Sequence, residues 1–196
     1  MNIIKYDIAK RIDCSLLINN YLYMATKLDG VVKLCVRNAL SPSVNQIESS
    51  AINVDKINEM SSSMGRIYCA IDSTTYICLT TDTSFSAFSY INKPVGVNES
   101  SIELVSDANN VGYVYLLTPG NEVGENAKII KYEKQSDSIN LVYVEIIDLS
   151  TLNNAQKIDI DIDGNIYVLS DLETATPKLT KVVYSVTWSF TTYNLV

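Results

Sequence analysis

Apolar and polar residues alternate along much of the chain, and the alternation is most regular over residues 157–171, KIDIDIDGNIYVLSD. Three isoleucines occupy every second position there, so in an extended chain they share one face and the intervening aspartates share the other. Asp163 and Gly164 are residues that form tight turns, and apolar residues follow them. The segment therefore predicts a β-strand, a tight turn and a second strand.

Weaker copies of this hairpin recur through the chain. Four segments align on a tyrosine that has an apolar residue on each side, namely NYLYMAT, GRIYCAID, GYVYLLTP and GNIYVLSD. The aligned residues are Tyr23, Tyr68, Tyr115 and Tyr167, at separations of 45, 47 and 52 residues. Further β-rich runs precede and follow each tyrosine, so each unit has about four strands, and a unit of this length is typical of one propeller blade.

The repeats predict an all-β protein, either a small four-bladed β-propeller or a propeller-like repeat of four-stranded antiparallel units, in a single domain of 196 residues. The units cover about 11–52, 53–97, 98–150 and 151–196. Residues 1–10 precede the first unit as an N-terminal strand or arm. We expect this arm either to close the ring, which removes exposed sheet edges, or to pair with a neighbouring subunit.

One stretch, from Ser43 to Met60, fits two structures. The repeat register predicts the outer strand of the first unit and the inner strand of the second. The apolar residues, however, are three or four positions apart, which is helical spacing, and Ser43 with Gln46 fits a capping box. A short helix is therefore the alternative to the two strands.

The segment DGNIYVLSD resembles the repeats of NHL and related propeller families, in which an Asp-Gly-Asn turn leads into a strand of the form I-Y-V. The resemblance is specific over about nine residues of the last unit and looser in the other three. Four units are similar in size to hemopexin-like domains, although the paired cysteines that close many hemopexin rings are not evident here. The resemblance implies a propeller architecture and nothing about activity.

The composition excludes several classes of protein. The net charge is −7 and the 15 basic residues are scattered, which argues against nucleic-acid binding, because that depends on clustered Lys and Arg. No apolar run approaches the roughly 20 residues of a membrane-spanning helix. Charged residues interrupt the N-terminal sequence, so it lacks the apolar centre of a secretory signal. We expect cytoplasmic synthesis without a signal peptide, followed by incorporation into a virion if the protein is a particle component.

Four cysteines lie within apolar, strand-like stretches without metal-binding spacing: Cys14, Cys35, Cys69 and Cys78. We expect buried free thiols, because a reducing cytosol disfavours disulfides. Cys69 and Cys78 could also face each other across a hairpin, which leaves one disulfide as an alternative.

Asp159, Asp161 and Asp163 are candidate calcium ligands. Their run matches the first eight positions of an EF-hand loop, and calcium prefers several oxygen ligands. The twelfth position, which should be a glutamate, is Ser170, and strands rather than helices flank the run. The favoured interpretation is therefore a polar strand face that leads into the turn. No other cofactor is expected.

An enzyme is the less favoured class. Histidine is absent, which excludes Ser-His-Asp and Cys-His catalysis and all zinc sites that need histidine. Acidic residues could still act at the centre of a propeller, as in lactonase-like relatives, and the candidates are Asp72, Glu103, Asp107 and Asp171. The simpler expectation is that they are solvated turn residues.

Aromatic residues are the remaining candidates for recognition. The four repeated tyrosines recur at one structural position, which favours a packing role over a ligand site. Trp188, Phe190 and Tyr193 are expected to form a packing cluster on an outer strand.

Together these patterns predict a non-catalytic binding or scaffold protein with protein partners or self-assembly, most concretely a structural component of a phage or virus particle such as a tail, neck or decoration protein. The alternatives are a carbohydrate- or peptide-binding propeller module and a metal-dependent, lactonase-like hydrolase.

Overall fold

The chain folds into four consecutive antiparallel sheets of four strands each. The computed structural model describes residues 11–41, 46–107, 112–120, 125–136, 138–150, 152 and 154–195. The proposed arm at residues 1–10 lies outside the described residues. No helix in the described parts of the chain is long and apolar enough to cross a membrane.

Each sheet is a blade whose strands pair in the order of the sequence. Blade 1 contains β1 (Arg11–Ile18), β2 (Tyr21–Leu28), β3 (Val31–Asn38) and β4 (Ile47–Glu48), and blade 2 contains β5 (Lys56–Ser63), β6 (Arg66–Asp72), β7 (Tyr76–Asp82) and β8 (Phe88–Asn92). Blade 3 contains β9 (Glu103–Ser106), β10 (Tyr113–Thr118), β11 (Lys128–Lys134) and β12 (Leu141–Asp148), and blade 4 contains β13 (Ala155–Ile160), β14 (Ile166–Ser170), β15 (Lys178–Tyr184) and β16 (Trp188–Asn194). The all-β, propeller-like prediction is confirmed.

Three apolar cores hold successive blades together. Side chains alternate between the two faces of each sheet, so one blade can contribute to a core on either side. We call the face toward the next blade the forward face and the other the rear face. Forward residues of blade 1 such as Tyr23 pack on rear residues of blade 2 such as Ile67. Tyr68 of blade 2 packs on Val114 of blade 3 in the second core. The third core joins blade 3 to blade 4.

The described residues form an open arc of blades. The inner strands pack in succession, β1 on β5, β5 on β9 and β9 on β13. Within the part of the chain that the structure describes, three cores join the four blades and none joins blade 4 to blade 1. The forward face of blade 4 therefore has no following blade among these residues.

The stretch from Ser43 to Met60 contains no helical residue wherever it is described, from residue 46 onward, so the helical alternative is wrong there. Strand β4 pairs with β3, Ile52 bridges to Val32, and β5 begins at Lys56. Ile52 and Ile57 are both buried in the core between blades 1 and 2, Ile52 beside β3 and Ile57 on β5.

All four cysteines are free, and the alternative disulfide is wrong. Cys69 pairs with Leu79 across the hairpin and Cys78 pairs with Ala70, so the two thiols lie on opposite faces of blade 2. Cys69 belongs to the core shared with blade 1 and Cys78 to the core shared with blade 3.

Candidate functional site

The repeated tyrosine marks the forward face of every blade. Tyr23, Tyr68 and Tyr115 are 6%, 0% and 5% exposed, because each is covered by the blade that follows it. Tyr167 occupies the same position in blade 4 but is only partly buried. The packing role predicted for these tyrosines is therefore present in three blades, and in the fourth the tyrosine lies on an open sheet face.

The open face of blade 4 contains a groove of about 570 Å³ with a largely apolar floor. Its floor includes Tyr167, Leu169 and Leu179, and the acidic residues Asp159 and Asp161 lie on its β13 side. We call the forward side of blade 4 the open face. The side chains that define it are Lys157, Asp159, Asp161, Tyr167, Leu169, Leu179, Lys181 and Tyr193. The Lys181 ammonium lies 5.6 Å from the centre of the Tyr167 ring.

Asp161 organises the turn between β13 and β14. Its Oδ1 accepts hydrogen bonds from the backbone N–H groups of Asp163 (3.0 Å) and Asn165 (2.9 Å). Its Oδ2 accepts from Asn165 Nδ2 (2.7 Å) and from the Tyr167 hydroxyl (2.9 Å). The Asn165 side-chain amide and the other donors lower the pKa of Asp161 to about 2. Gly164 adopts a φ of 82°, which glycine tolerates without strain.

This arrangement gives Asp161 a role that needs no metal. Both of its oxygens are already occupied by hydrogen-bond donors, and Asp159 Oδ1 accepts from the next backbone N–H at 2.8 Å. Within the described ranges, no three Asp, Glu, Cys or His side chains lie close enough to hold a metal ion. Calcium binding at Asp159, Asp161 and Asp163 stays a prediction, while the hairpin turn predicted from the same residues is present.

One residue of each inner strand contributes to an axial layer, which consists of Cys14, Glu59, Glu103 and Lys157. Each of these pairs across the sheet with the residue two positions after the repeated tyrosine. In three of the inner strands a β-bulge lies immediately before the axial residue. Such a bulge changes the direction of a side chain, and bulges are common next to functional sites.

Glu103 is the chemically distinctive member of the axial layer. It is 8% exposed and accepts a hydrogen bond from Lys157 Nζ. Burial raises the pKa of the Glu103 carboxyl, and the Lys157 ammonium partly opposes that effect. Burial and the nearby charge of Glu59 raise the pKa of the Cys14 thiol to about 12, so it is a poor nucleophile at neutral pH.

The other acidic candidates lie elsewhere, each with its own partner. Asp72 accepts a hydrogen bond from the Ser100 hydroxyl at 2.7 Å. Asp107 is buried, and its backbone carbonyl accepts from Lys134 Nζ at 3.2 Å. Asp171 forms an ion pair with a lysine at 2.9 Å. The four predicted acids are thus not brought together, and only Glu103 joins the axial layer.

Trp188 is a packing residue, as the sequence predicts. Its Nε1 donates to Glu145 Oε2 at 3.1 Å, and it lies against the core between blades 3 and 4. Lys131 Nζ lies 5.4 Å from the Trp188 ring. Phe190 and Tyr193 do not join this contact. They are 41% and 51% exposed on opposite faces of β16.

Comparison with known proteins supports the fold. No protein-family model and no curated protein sequence matches the chain. A solved structure of the NanB sialidase from Streptococcus pneumoniae, in complex with 2-[(3-chlorobenzyl)ammonio]ethanesulfonate, superposes with a TM-score of 0.60 at 17% identity and covers 83% of this chain. A structure of NanB with Optactamide gives 0.56 at 17% identity and covers 80%. The chain spans 28% and 26% of these proteins, so the likeness shows a propeller-like fold and no more.

Proposed function

We propose that this chain is a non-catalytic binding or scaffold protein that docks a protein partner on the open face of blade 4, as a structural component of a larger assembly such as a phage or virus particle. The observation that carries the proposal is Tyr167. Its counterparts in the other three blades are covered by a neighbouring sheet, whereas Tyr167 lines an open groove.

The chemistry of the groove supports a β-sheet as the partner. The floor consists of Tyr167, Leu169 and Leu179, which matches the apolar forward faces of the other blades. Much of the polar chemistry of the groove is internally satisfied, because Asp161 caps the turn and Lys157 pairs with Glu103. An apolar sheet face that is rimmed by charge is typical of a protein interaction surface.

A photo-crosslinking amino acid tests the proposal directly. We expect p-benzoylphenylalanine at position 193, on the open face, to form an adduct with one defined protein in the native assembly. The same group at position 190 is the matched control, because Phe190 is on the same strand, similarly exposed, and on the rear face. Equal adducts at both positions, or none at 193, would contradict docking at this face.

A carbohydrate- or peptide-binding module is the second candidate, and the dimensions of the groove favour it. A groove of about 570 Å³ is within the range of small-ligand sites, and an aromatic ring next to a carboxylate is suited to a sugar. A glycan array followed by Tyr167→Ala checks this function. Binding that is lost in the variant would support it over protein docking.

Hydrolysis is the third candidate, supported by the raised pKa of Glu103 in the axial layer and by the enzymatic nature of the two sialidase structures. A buried carboxyl with a raised pKa can act as a general acid. Turnover of a sialoside or lactone substrate by the chain, abolished in Glu103→Gln, would support an enzyme. The absence of turnover in all such assays is the outcome expected from the scaffold proposal.

A further inference from the structure

We infer that the occupant of the open face is a second copy of this chain, placed by a two-fold axis that runs along β14. This inference rests on the proposed docking function and identifies the partner. It follows from three observations, which concern the continuity of the blade interfaces, the unsuitability of blade 1 as a partner and the order of charges across blade 4.

The open face continues a series of interfaces that the chain already contains. Each of three forward faces buries its tyrosine and the apolar residues beside it under another antiparallel sheet. The open face presents Tyr167 with Leu169 on β14 and Leu179 on β15 in the same arrangement. Its expected occupant is therefore a β-sheet and not an isolated strand or a helix.

A head-to-tail arrangement would place the rear face of blade 1 of a second copy on the open face. The central side chains of that rear face, Met24 and Cys35, are already 3% and 0% exposed. Exposed apolar side chains of that face, such as Ile12 and Leu17 on its edge strand β1, lie away from the centre, so the centre of the face has no apolar surface left to bury against another copy. The open face itself is then the surface through which a second copy can add burial, and the resulting dimer is isologous.

The charges on the open face complement themselves under this symmetry. Asp159, Tyr167 and Lys181 lie directly opposite one another on β13, β14 and β15. A two-fold axis parallel to β14 places β13 of one copy over β15 of the other. Rotation about this axis does not change the position of a residue along the strand direction. Asp159 of each copy then lies opposite Lys181 of the other, and the two copies of Tyr167 meet at the axis.

The total charge of the face agrees with this pairing. The face carries two lysines, Lys157 and Lys181, and two aspartates, Asp159 and Asp161. With the Glu103 carboxylate that pairs with Lys157 these five residues sum to −1, whereas the whole chain has a net charge of −7. Two copies therefore repel each other less at this face than at an average part of the surface. Opposite charges across an interface fix its register more than they raise its affinity.

The size of the face sets the expected affinity. Four strands about 4.8 Å apart, with about six residues each at about 3.3 Å, make a face of roughly 380 Å² in plan. Standard stable interfaces bury about 800 Å² on each partner, so the dimer is expected to be weak. We expect a dissociation constant on the order of 100 µM, which corresponds to a transient complex.

Sedimentation velocity of the full chain from about 5 µM to about 500 µM tests the inference, since this range brackets the expected dissociation constant. We expect a monomer–dimer equilibrium. Lys181→Asp places two carboxylates opposite each other at both symmetric contacts and should weaken the dimer about ten-fold or more. Adding Asp159→Lys to that variant reverses both charges and should restore association to within about three-fold of the original chain. Phe190→Asp, on the rear face, is the control and should leave the equilibrium unchanged.

The outcomes separate this inference from the proposed function. A chain that stays monomeric across the range, or a charge reversal that does not restore the dimer, overturns the second copy as the occupant. If the crosslinker at position 193 then still captures one defined protein other than this chain, the docking function stands with a different partner. If neither self-association nor a position-specific adduct is found, both are wrong.

Discussion

The open-arc arrangement predicts that the same substitution has unequal costs in adjacent blades. Tyr115 and Tyr167 hold equivalent positions in blades 3 and 4, but only Tyr115 is covered by a following sheet. Truncating a fully buried aromatic side chain to alanine costs about 3–5 kcal/mol, so Tyr115→Ala should lose about that much stability. Tyr167→Ala loses partial burial and the hydrogen bond from its hydroxyl to Asp161, and should cost about 1–2 kcal/mol.

Urea unfolding at a few micromolar protein, monitored by circular dichroism, measures both costs under conditions in which weak self-association does not contribute. In thermal melts, a cost of 1 kcal/mol lowers Tm by about 2–4 °C for a chain of this length, so we expect Tm to fall by about 6–20 °C in Tyr115→Ala and by about 2–8 °C in Tyr167→Ala. Tyr167→Phe separates the hydroxyl from the ring and should cost about 1 kcal/mol. Equal losses in the two alanine variants would refute the open face, because they would mean that Tyr167 is packed as fully as Tyr115.

Three further predictions concern charge. Because the folded-state pKa of Asp161 is lowered to about 2, its ionised form stabilises the fold above pH about 4, and this contribution is lost as the pH falls toward 2. The Tm difference between the original chain and Asp161→Asn should therefore shrink over that interval in thermal melts. The pKa of Glu103 is raised, so the original chain should gain stability relative to Glu103→Gln as the pH falls from neutral toward about 4.5. Calcium at millimolar concentration should shift Tm by less than about 1 °C, since Asp161 is occupied by donors within the turn, and a larger shift that disappears in Asp161→Ala would show a metal site.

The fold could be predicted from the sequence because its determinants are local. Alternation of apolar residues specifies a strand, a turn residue specifies a hairpin, and a period of 45 to 52 residues specifies a blade. The relation between the first and last blades is a long-range property that no local pattern encodes. The stretch from Ser43 to Met60 fits two structures because Ile47, Ala51, Val54 and Ile57 are three or four positions apart, which is helical spacing, although the described part of the stretch pairs with strands of two blades.

Most residues of the axial layer cannot be recognised from the sequence, and the strand register shows why. Its four members lie 9, 9, 12 and 10 residues before the repeated tyrosine, because the hairpin connection between the axial residue and that tyrosine differs in length. Alignment on the tyrosine therefore does not superpose them. The sequence indicates Glu103 as a candidate acid, but it indicates its partner Lys157 only as part of a strand. Cross-strand pairing is needed to place them together.

Two positions recur in every blade, that of the tyrosine and that of the axial residue. The first is occupied by the same residue in all four blades, and the second is not. The tyrosine is the same residue in all four units because each unit must present a similar forward face to a neighbouring sheet. The axial residue differs from unit to unit, as cysteine, glutamate, glutamate and lysine, because packing between the blades does not depend on it. Lys157 belongs to both the axial layer and the open face, so a partner on blade 4 would lie beside the Glu103 ion pair. Docking at this face should therefore alter the protonation of Glu103, and the Glu103 pKa provides a measure of docking that is independent of mass.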